Sequence, residues 1–216
     1  ELVGKARAAG AEMIEIPSWT LKESFFDDAY FVLLYEFKQD FNDWLKEMKR
    51  AGGKYPGGLE NLDALIAYNR SHRDTVMPIF AQEYLEAAAA LDASREQSNA
   101  RRARQRIQDA SRQLIDRTLR EHQLEAILLP TTGTPWLIDH LAGDRFDFGS
   151  SSAAAVAGYP SVTIPAGWHG ELPLGVSLIA SAWQEPRLLS LAAALEQQLG
   201  ARRPPHFIPS LEDLHS

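Results

Sequence analysis

Residues 149–153, Gly149-Ser150-Ser151-Ser152-Ala153, set three hydroxyls in a row between an aromatic, acidic stretch and a run of small residues. Hydroxyls in such a setting suggest acyl transfer by a serine nucleophile. That chemistry needs a strand, a tight G-x-S-x-G turn and a helix, so that the hydroxyl stands strained above a sheet. The first glycine is present, but Ala153 stands in place of the second, and residues 141–148 alternate poorly for a strand. The competing role is a helix N-cap, in which a serine oxygen accepts from a free amide of the first turn. "SAAAVA" supplies a short helix for it, and Gly158 supplies a stop. The residues favour the cap.

Other chemistry is thinly represented. His122, His140 and His169, with Asp139, Asp144 and Asp147, are available to a Ser-His-Asp triad, but such a triad is assembled in space and not in sequence. The histidines form no H-E-x-x-H cluster, so no metal or other cofactor is expected; Asp139, His140 and Asp144 are only a weak cation set. Glycine-rich phosphate loops of the G-x-G-x-x-G or G-x-x-x-x-G-K type are absent.

The elements that must position these groups can be read from periodicity. Residues 1–10 predict a helix and 11–17 a short strand closed by Pro17. From Ser24, with Asp27 as a capping-box partner, a long helix runs to Gly52 and Gly53. Its apolar stripe is Tyr30, Leu33, Leu34, Phe37, Phe41, Trp44, Leu45 and Met48. "KYPGG" (54–58) predicts a turn, Asn61 the start of a shorter helix, and residues 78–92 another. A long helix follows over roughly 95–122, with Ala100, Ala103, Ile107, Ala110 and Leu114 as its buried seam and arginines off it. Strands are expected at 126–132, 161–167 and 174–181. The last helix has Pro186 in its first turn and Gly200 at its end. Strands separated by helices predict a layered α/β domain, followed by a Pro-rich surface tail at 201–216.

Composition narrows the partners. A chain of 216 residues can bury a substantial core. A net charge of −7 argues against nucleic acid as partner, so "RRARQRIQ" reads as a solvated helix face. Zero cysteines exclude a disulfide scaffold, a cysteine nucleophile and thiolate metal sites. No apolar run is long enough for a membrane-spanning helix. A soluble protein is expected, in cytoplasm or periplasm. The chain opens at Glu1 inside what reads as a helix, without a targeting segment, as the interior of a longer protein would.

Taken in order, "AGYPSVTIPAG", "LPLGVSLIAS" and "EPRLLSLAAALE" resemble the C-terminal end of the amidase signature family of amide hydrolases. "LLYEFKQDFNDWLK", "NLDALIAYNRSH" and "FAQEYLEAA" are similar to segments of the branch that includes bacterial peptide amidases, and "ILLPTTGTP" sits where the family has a strand and a loop facing the active site. The resemblance covers nearly the whole chain, from Glu1 to about Gly200. It implies an α/β/α layered fold around a mixed central sheet, of which residues 1–216 are the C-terminal portion of a single domain.

It also implies hydrolysis of a carboxamide through an acyl-enzyme, by a Ser–cis-Ser–Lys triad with an oxyanion hole of backbone amides. The family places those groups in a Gly-Gly-Ser-Ser-Gly-Gly-Ser segment with an upstream lysine. This sequence lacks that segment, and none of Lys5, Lys22, Lys38, Lys46, Lys49 and Lys54 has the family's lysine context. "GSSSAAAVAG" imitates it with alanines, which lack the backbone freedom of paired glycines. No catalytic residue is therefore expected here. The expected partners are the N-terminal half of the same enzyme and a small amide or peptide-amide substrate. The expected substrate-binding residues are Thr131, Thr132 and Gly133 after the first strand of this run and Phe148, Ser150 and Ser151 before the short helix. Trp136 is a further candidate wall, with core packing the favoured role.

Three alternatives stand beside this reading. One is an autonomous serine hydrolase using Ser150–Ser152. Another is a helical binding module acting through the arginines of 95–122. Within the family, the third is the amidase subunit of a transfer-RNA amidotransferase.

Overall fold

A computed structural model describes residues 2–53, 59–205 and 207. The predicted turn at 54–58 and most of the tail, 206 and 208–216, lie outside the described residues. The chain divides into two compact units, Lys22–Gln108 and a second made of Glu1–Leu21 with Asp109–Ser216. The elements in chain order are α1 (Leu2–Ala8), α2 (Glu23–Arg50), α3 (Leu62–Ser71), α4 (Arg73–Val76), α5 (Glu83–Ala90), α6 (Ala93–Glu121), β1 (Ile127–Pro130), α7 (Ser151–Ala157), β2 (Ser161–His169), β3 (Leu172–Ile179) and α8 (Glu185–Leu199). Residues 11–17 form no strand, and Ile14 stays exposed. Met13, Ile14 and Ile16 do not alternate to one face, and a strand persists only where a neighbour completes its hydrogen-bond ladder.

The Lys22–Gln108 unit is helical. Leu34, Phe37 and Phe41 of α2 pack on Leu62 and Ile66 of α3 and Ala88 of α5. The predicted stripe is only partly covered: Tyr30, Leu33, Trp44 and Met48 remain exposed. Ser24 does not cap α2, which begins one residue earlier at Glu23, with Lys22 at the N-cap position and no side-chain cap bond. Asn61 does cap α3, accepting from the Ala64 amide at 2.9 Å. The segment 78–82 is not helical, and α5 starts only at Glu83. Gln82 is buried beside that start; its side-chain amide donates to the Ile66 carbonyl and accepts from Asn69, which ties α5 to α3.

Asp92 caps α6 by accepting from the Ser94 and Arg95 amides. The buried seam of α6 is Ala100, Ala103, Ile107, Ser111, Ile115 and Thr118, whereas Ala110 is exposed and Leu114 half-buried. The observed seam averages 3.6 residues per step, the helical repeat, and at that repeat it passes from Ile107 to Ser111 instead of Ala110. The arginine face is not wholly solvated. Arg106 grips Asp28 of α2 with two bonds, at 2.8 and 2.6 Å, and Arg104 reaches Glu36 at 3.2 Å.

The other unit is a three-layer sandwich. Its sheet has the order β1-β3-β2, and all pairs are antiparallel. The parallel pairs that a mixed sheet also contains do not occur among these three strands. β2 and β3 are joined through Gly170, whose φ of +59° suits the tight hairpin. Alternation sorts the strand residues into two faces. Val162, Ile164, Val176, Leu178 and Leu128 meet Leu188, Ala192 and Leu199 of α8, with Leu2 of α1. Ile127, Leu129 and Ile179 meet Ile115 of α6 and Ala153, Ala154 and Ala157 of α7. The small residues of α7 let that helix lie close to the sheet. Pro165 sits at a register shift in β2, an edge strand among the described residues, where a missing N–H is tolerated. No helix among the described residues is long and apolar enough to cross a membrane.

Candidate functional site

Pro130 closes β1, and the chain leaves the sheet at Thr131, whose amide still donates to the Gly175 carbonyl at 2.9 Å. The Thr131 carbonyl then accepts twice from Ser150, from its amide at 3.0 Å and from its hydroxyl at 3.1 Å. Next along, Thr132 forms an antiparallel bridge with Gly149, and its hydroxyl donates to the Phe148 carbonyl at 2.8 Å. Gly133 lies against Asp147, so that a Cβ there would stand 3.3 Å from a carboxylate oxygen. Two segments separate in sequence are thus zipped together for three residues at the end of β1. Thr131, Thr132, Phe148 and Ser150 are in direct contact, and Gly133 adjoins the same zip. Ser151 heads α7, and its side chain is exposed.

The bond made by Ser150 departs from the sequence expectation. It occupies the N-cap position of α7, yet no side-chain cap bond forms. Its backbone is helical (φ −94°, ψ −2°), which aims the hydroxyl back at β1 instead of at the first-turn amides, since a capping residue needs extended backbone. That relaxed conformation, entered from a loop and not a strand, is also unlike a nucleophile elbow. Gly158 does end α7, at φ +71°.

Under the zip runs a chain of hydroxyls that was not expected from the sequence. Ser177 of β3, 4% exposed, lies 2.9 Å from the hydroxyl of Thr131 on one side and 2.9 Å from that of Thr163 on the other. Gly175 fits closely beside it: a Cβ there would stand 3.0 Å from the Thr131 hydroxyl oxygen and 3.2 Å from a Thr163 methyl, so both side chains would have to give by a few tenths of an ångström. The available signal was strand parity: Thr163 and Ser177 fall on one sheet face, at paired positions.

Three further groups are tied down by hydrogen bonds on the segments around the zip. Tyr159 donates to Asp116 of α6 at 2.8 Å, and burial, together with that carboxylate, raises its phenol above the ordinary range. Asp139 accepts from the Leu141 and Ala142 amides, and these bonds, Ala142 foremost, hold its carboxyl below the usual range. Trp136 is half-buried within the loop, its indole N–H donating to Asp144 at 3.1 Å. No group of three or more metal-ligating side chains occurs among the described residues. The Lys22–Gln108 unit has a separate cleft of about 610 Å³ lined by Arg70, Met77, Pro78, Ile79, Phe80 and Gln82. It contains none of the expected residues, and Arg70 there is paired with Glu86 at 2.9 Å.

Comparison with known proteins gives this geometry a context. A family model described as Amidase matches residues 1–189. The chain is 31% identical over 178 residues to the probable amidase At4g34880 of Arabidopsis thaliana, an alignment covering 82% of this chain and 30% of the plant protein. The crystal structure of native peptide amidase from Stenotrophomonas maltophilia superposes with a TM-score of 0.76 at 36% identity, over 95% of this chain and 40% of that one. The peptide amidase PAM in complex with the competitive inhibitor chymostatin gives a TM-score of 0.72 at 39% identity, over 85% of this chain and 36% of that one. The chain therefore spans less than half the length of each protein it is matched to here. With the family model running through most of its residues and peptide amidase sharing its fold, the chain belongs to the amidase family.

Proposed function

We propose that this chain is the C-terminal part of an amide hydrolase of the peptide-amidase type, cleaving the carbon–nitrogen bond of a small carboxamide or a peptide amide. Its task is to complete the sheet and to wall the substrate pocket with the zip at the end of β1. The attacking serine, the bridging serine and the lysine of a Ser–cis-Ser–Lys relay belong to the N-terminal half of the same enzyme. The observation that carries this reading is that 95% of the chain superposes on 40% of a peptide amidase, while the glycine- and serine-rich catalytic segment is missing from its sequence.

In that role the groups around Thr131 and Ser150 bind and orient; they do not attack. Ser150 commits its hydroxyl to the Thr131 carbonyl, which leaves its proton engaged. Exposed Thr132, Phe148 and Ser151, with half-buried Gly133, contribute ring, hydroxyl and backbone surface at the end of β1, where ligands of open α/β sheets gather.

The test is ammonia release from an N-blocked peptide amide by the full-length protein. Activity is expected, together with labelling by a covalent serine probe at a serine upstream of Glu1. In that protein Ser151→Ala should raise KM severalfold, as loss of one uncharged hydrogen bond does, and retain turnover. Labelling of Ser150, Ser151 or Ser152 instead would establish the serine-hydrolase alternative and overturn this reading.

A further inference from the structure

Thr131 is tied at every polar group it has. Its amide donates to the Gly175 carbonyl, its carbonyl accepts twice from Ser150, and its hydroxyl lies 2.9 Å from that of Ser177. Two of these four bonds run to β3, the middle strand of the sheet, and two run to the residue that leads into α7. Thr131 is thus the joint between the sheet and the zip. Behind it the hydroxyls stand in series across the strands: Thr163 of β2 bonds Ser177 of β3 at 2.9 Å, and Ser177 bonds Thr131.

Packing alone does not call for a hydroxyl at position 177. Strand parity puts it on the face of Leu129 and Ile179, which pack in one apolar cluster with Ile115 of α6 and the alanines of α7. A buried hydroxyl with its bonds made adds little net stability over an apolar side chain of like size, because bonds to water are given up to make them. What it adds is direction, since a hydrogen bond holds its partners at a set range and angle. A buried polar network with its bonds made rigidifies the place it occupies. Ser177 is 4% exposed within this chain alone, and further protein packed around it can only cover it more. Its bonds lie inside the chain, whatever else surrounds the sheet.

We infer that Ser177 is a positioning residue for the amidase reaction: it acts through the Thr131 hydroxyl to hold the zip in register with the sheet, and Thr163 acts through Ser177 in turn. This rests on the function proposed above, in which the zip walls the substrate pocket. In this role neither Ser177 nor Thr163 touches substrate, so removing either hydroxyl loosens binding and spares the chemical step.

The experiment measures kcat, KM and Tm of the full-length protein, with an N-blocked peptide amide as substrate. Ser177→Ala should raise KM by roughly three- to tenfold, the scale of one uncharged hydrogen bond, with kcat within about twofold of wild type. Thr163→Val, which exchanges the hydroxyl for a methyl of like shape, should raise KM less and carries the test where Ser177→Ala does not fold. Thr163→Ser keeps the hydroxyl and should retain the wild-type KM. In the Ser177→Ala background Thr163→Val should change KM no further, because its route to the zip is already cut. Trp168→Phe is the control for stability alone. It takes from the turn end of the same hairpin the indole bond to the Ala201 carbonyl, 2.7 Å long, and should lower Tm with KM unmoved. A Ser177→Ala variant that loses Tm and keeps its KM makes the hydroxyl chain purely structural and overturns the inference. Additive effects of Ser177→Ala and Thr163→Val overturn it too, since Thr163 would then act by another route. Loss of kcat at constant KM places Ser177 in the chemical step and is equally fatal. Wild-type protein that hydrolyses no peptide amide sinks the proposed function and this inference with it, whereas an active wild type with an unmoved KM in the variants sinks only the inference.

Discussion

Ser177 has one hydroxyl proton and two hydroxyl neighbours, so it donates to at most one of Thr131 and Thr163 and accepts from at least one of them. Either way the buried oxygen is satisfied on both sides. Ser177→Ala removes the middle of that chain and takes from the Thr131 hydroxyl its side-chain partner, in a place so close that a Cβ on Gly175 would stand 3.0 Å from it. The loss should be about 1–3 kcal/mol, the cost of stranding a part-buried hydroxyl, measured by denaturant unfolding of the full-length protein. A change within about 0.5 kcal/mol would mean that water takes over the bond without cost. Gly175→Ala acts on the same place from the other side, by pressing on the Thr131 hydroxyl, and should weaken the zip rather than the sheet ladder.

At the scale of elements, α6 is held to α2 by two ion pairs, of which the forked Arg106–Asp28 pair has the better geometry. The arginine's hydrogen bonds hold the Asp28 carboxyl below its usual range, more than burial raises it. A folded-state pKa below the unfolded one means that the pair adds stability above the unfolded value, near 4, and that this stability fades as pH falls through the folded value. Asp28→Asn should therefore lower the denaturation midpoint at neutral pH, and the difference from wild type should shrink toward zero in strong acid. A difference independent of pH would assign the effect to helix packing and not to the charge. Ser111 offers a contrast on the same helix. Its hydroxyl is fully buried and has no hydrogen-bond partner among the described residues.

At the scale of the whole chain, the sheet has three strands among the described residues, and there its two outer strands each pair on one side. β2 runs for nine residues along such an open side, and Pro165 interrupts its donors at one point alone. Unpaired strand edges recruit other chains. Exposed Phe26, Tyr30, Leu33 and Tyr84 in the helical unit add apolar surface that water disfavours. Residues 1–216 expressed alone should therefore aggregate or fold poorly. A cooperative, monodisperse monomer in size-exclusion and thermal unfolding would refute that expectation.

The elements themselves were legible wherever one local rule decided them. Asn61 as a cap, Gly158 and Gly200 as left-handed stops, Pro186 in the first turn of α8 and the first half of the α6 seam (Ala100, Ala103 and Ile107) all depend on neighbours within a turn or two of helix. Family membership was legible too, because several motifs recur in one order along the chain. What sequence could not decide were the pairings between distant residues. Residues 11–17 needed a partner strand and have none here, and Ser24 gave way to Lys22 at the start of α2. Ser150 and Thr131 are nineteen residues apart, and only the return of the loop to β1 turns an expected helix cap into a bond across the zip. The order of residues determined which hydroxyls were present near the end of β1. The tertiary fold decided what each one bonds, because hydrogen bonds of short range and fixed direction follow the meeting of backbones and not the spacing of letters.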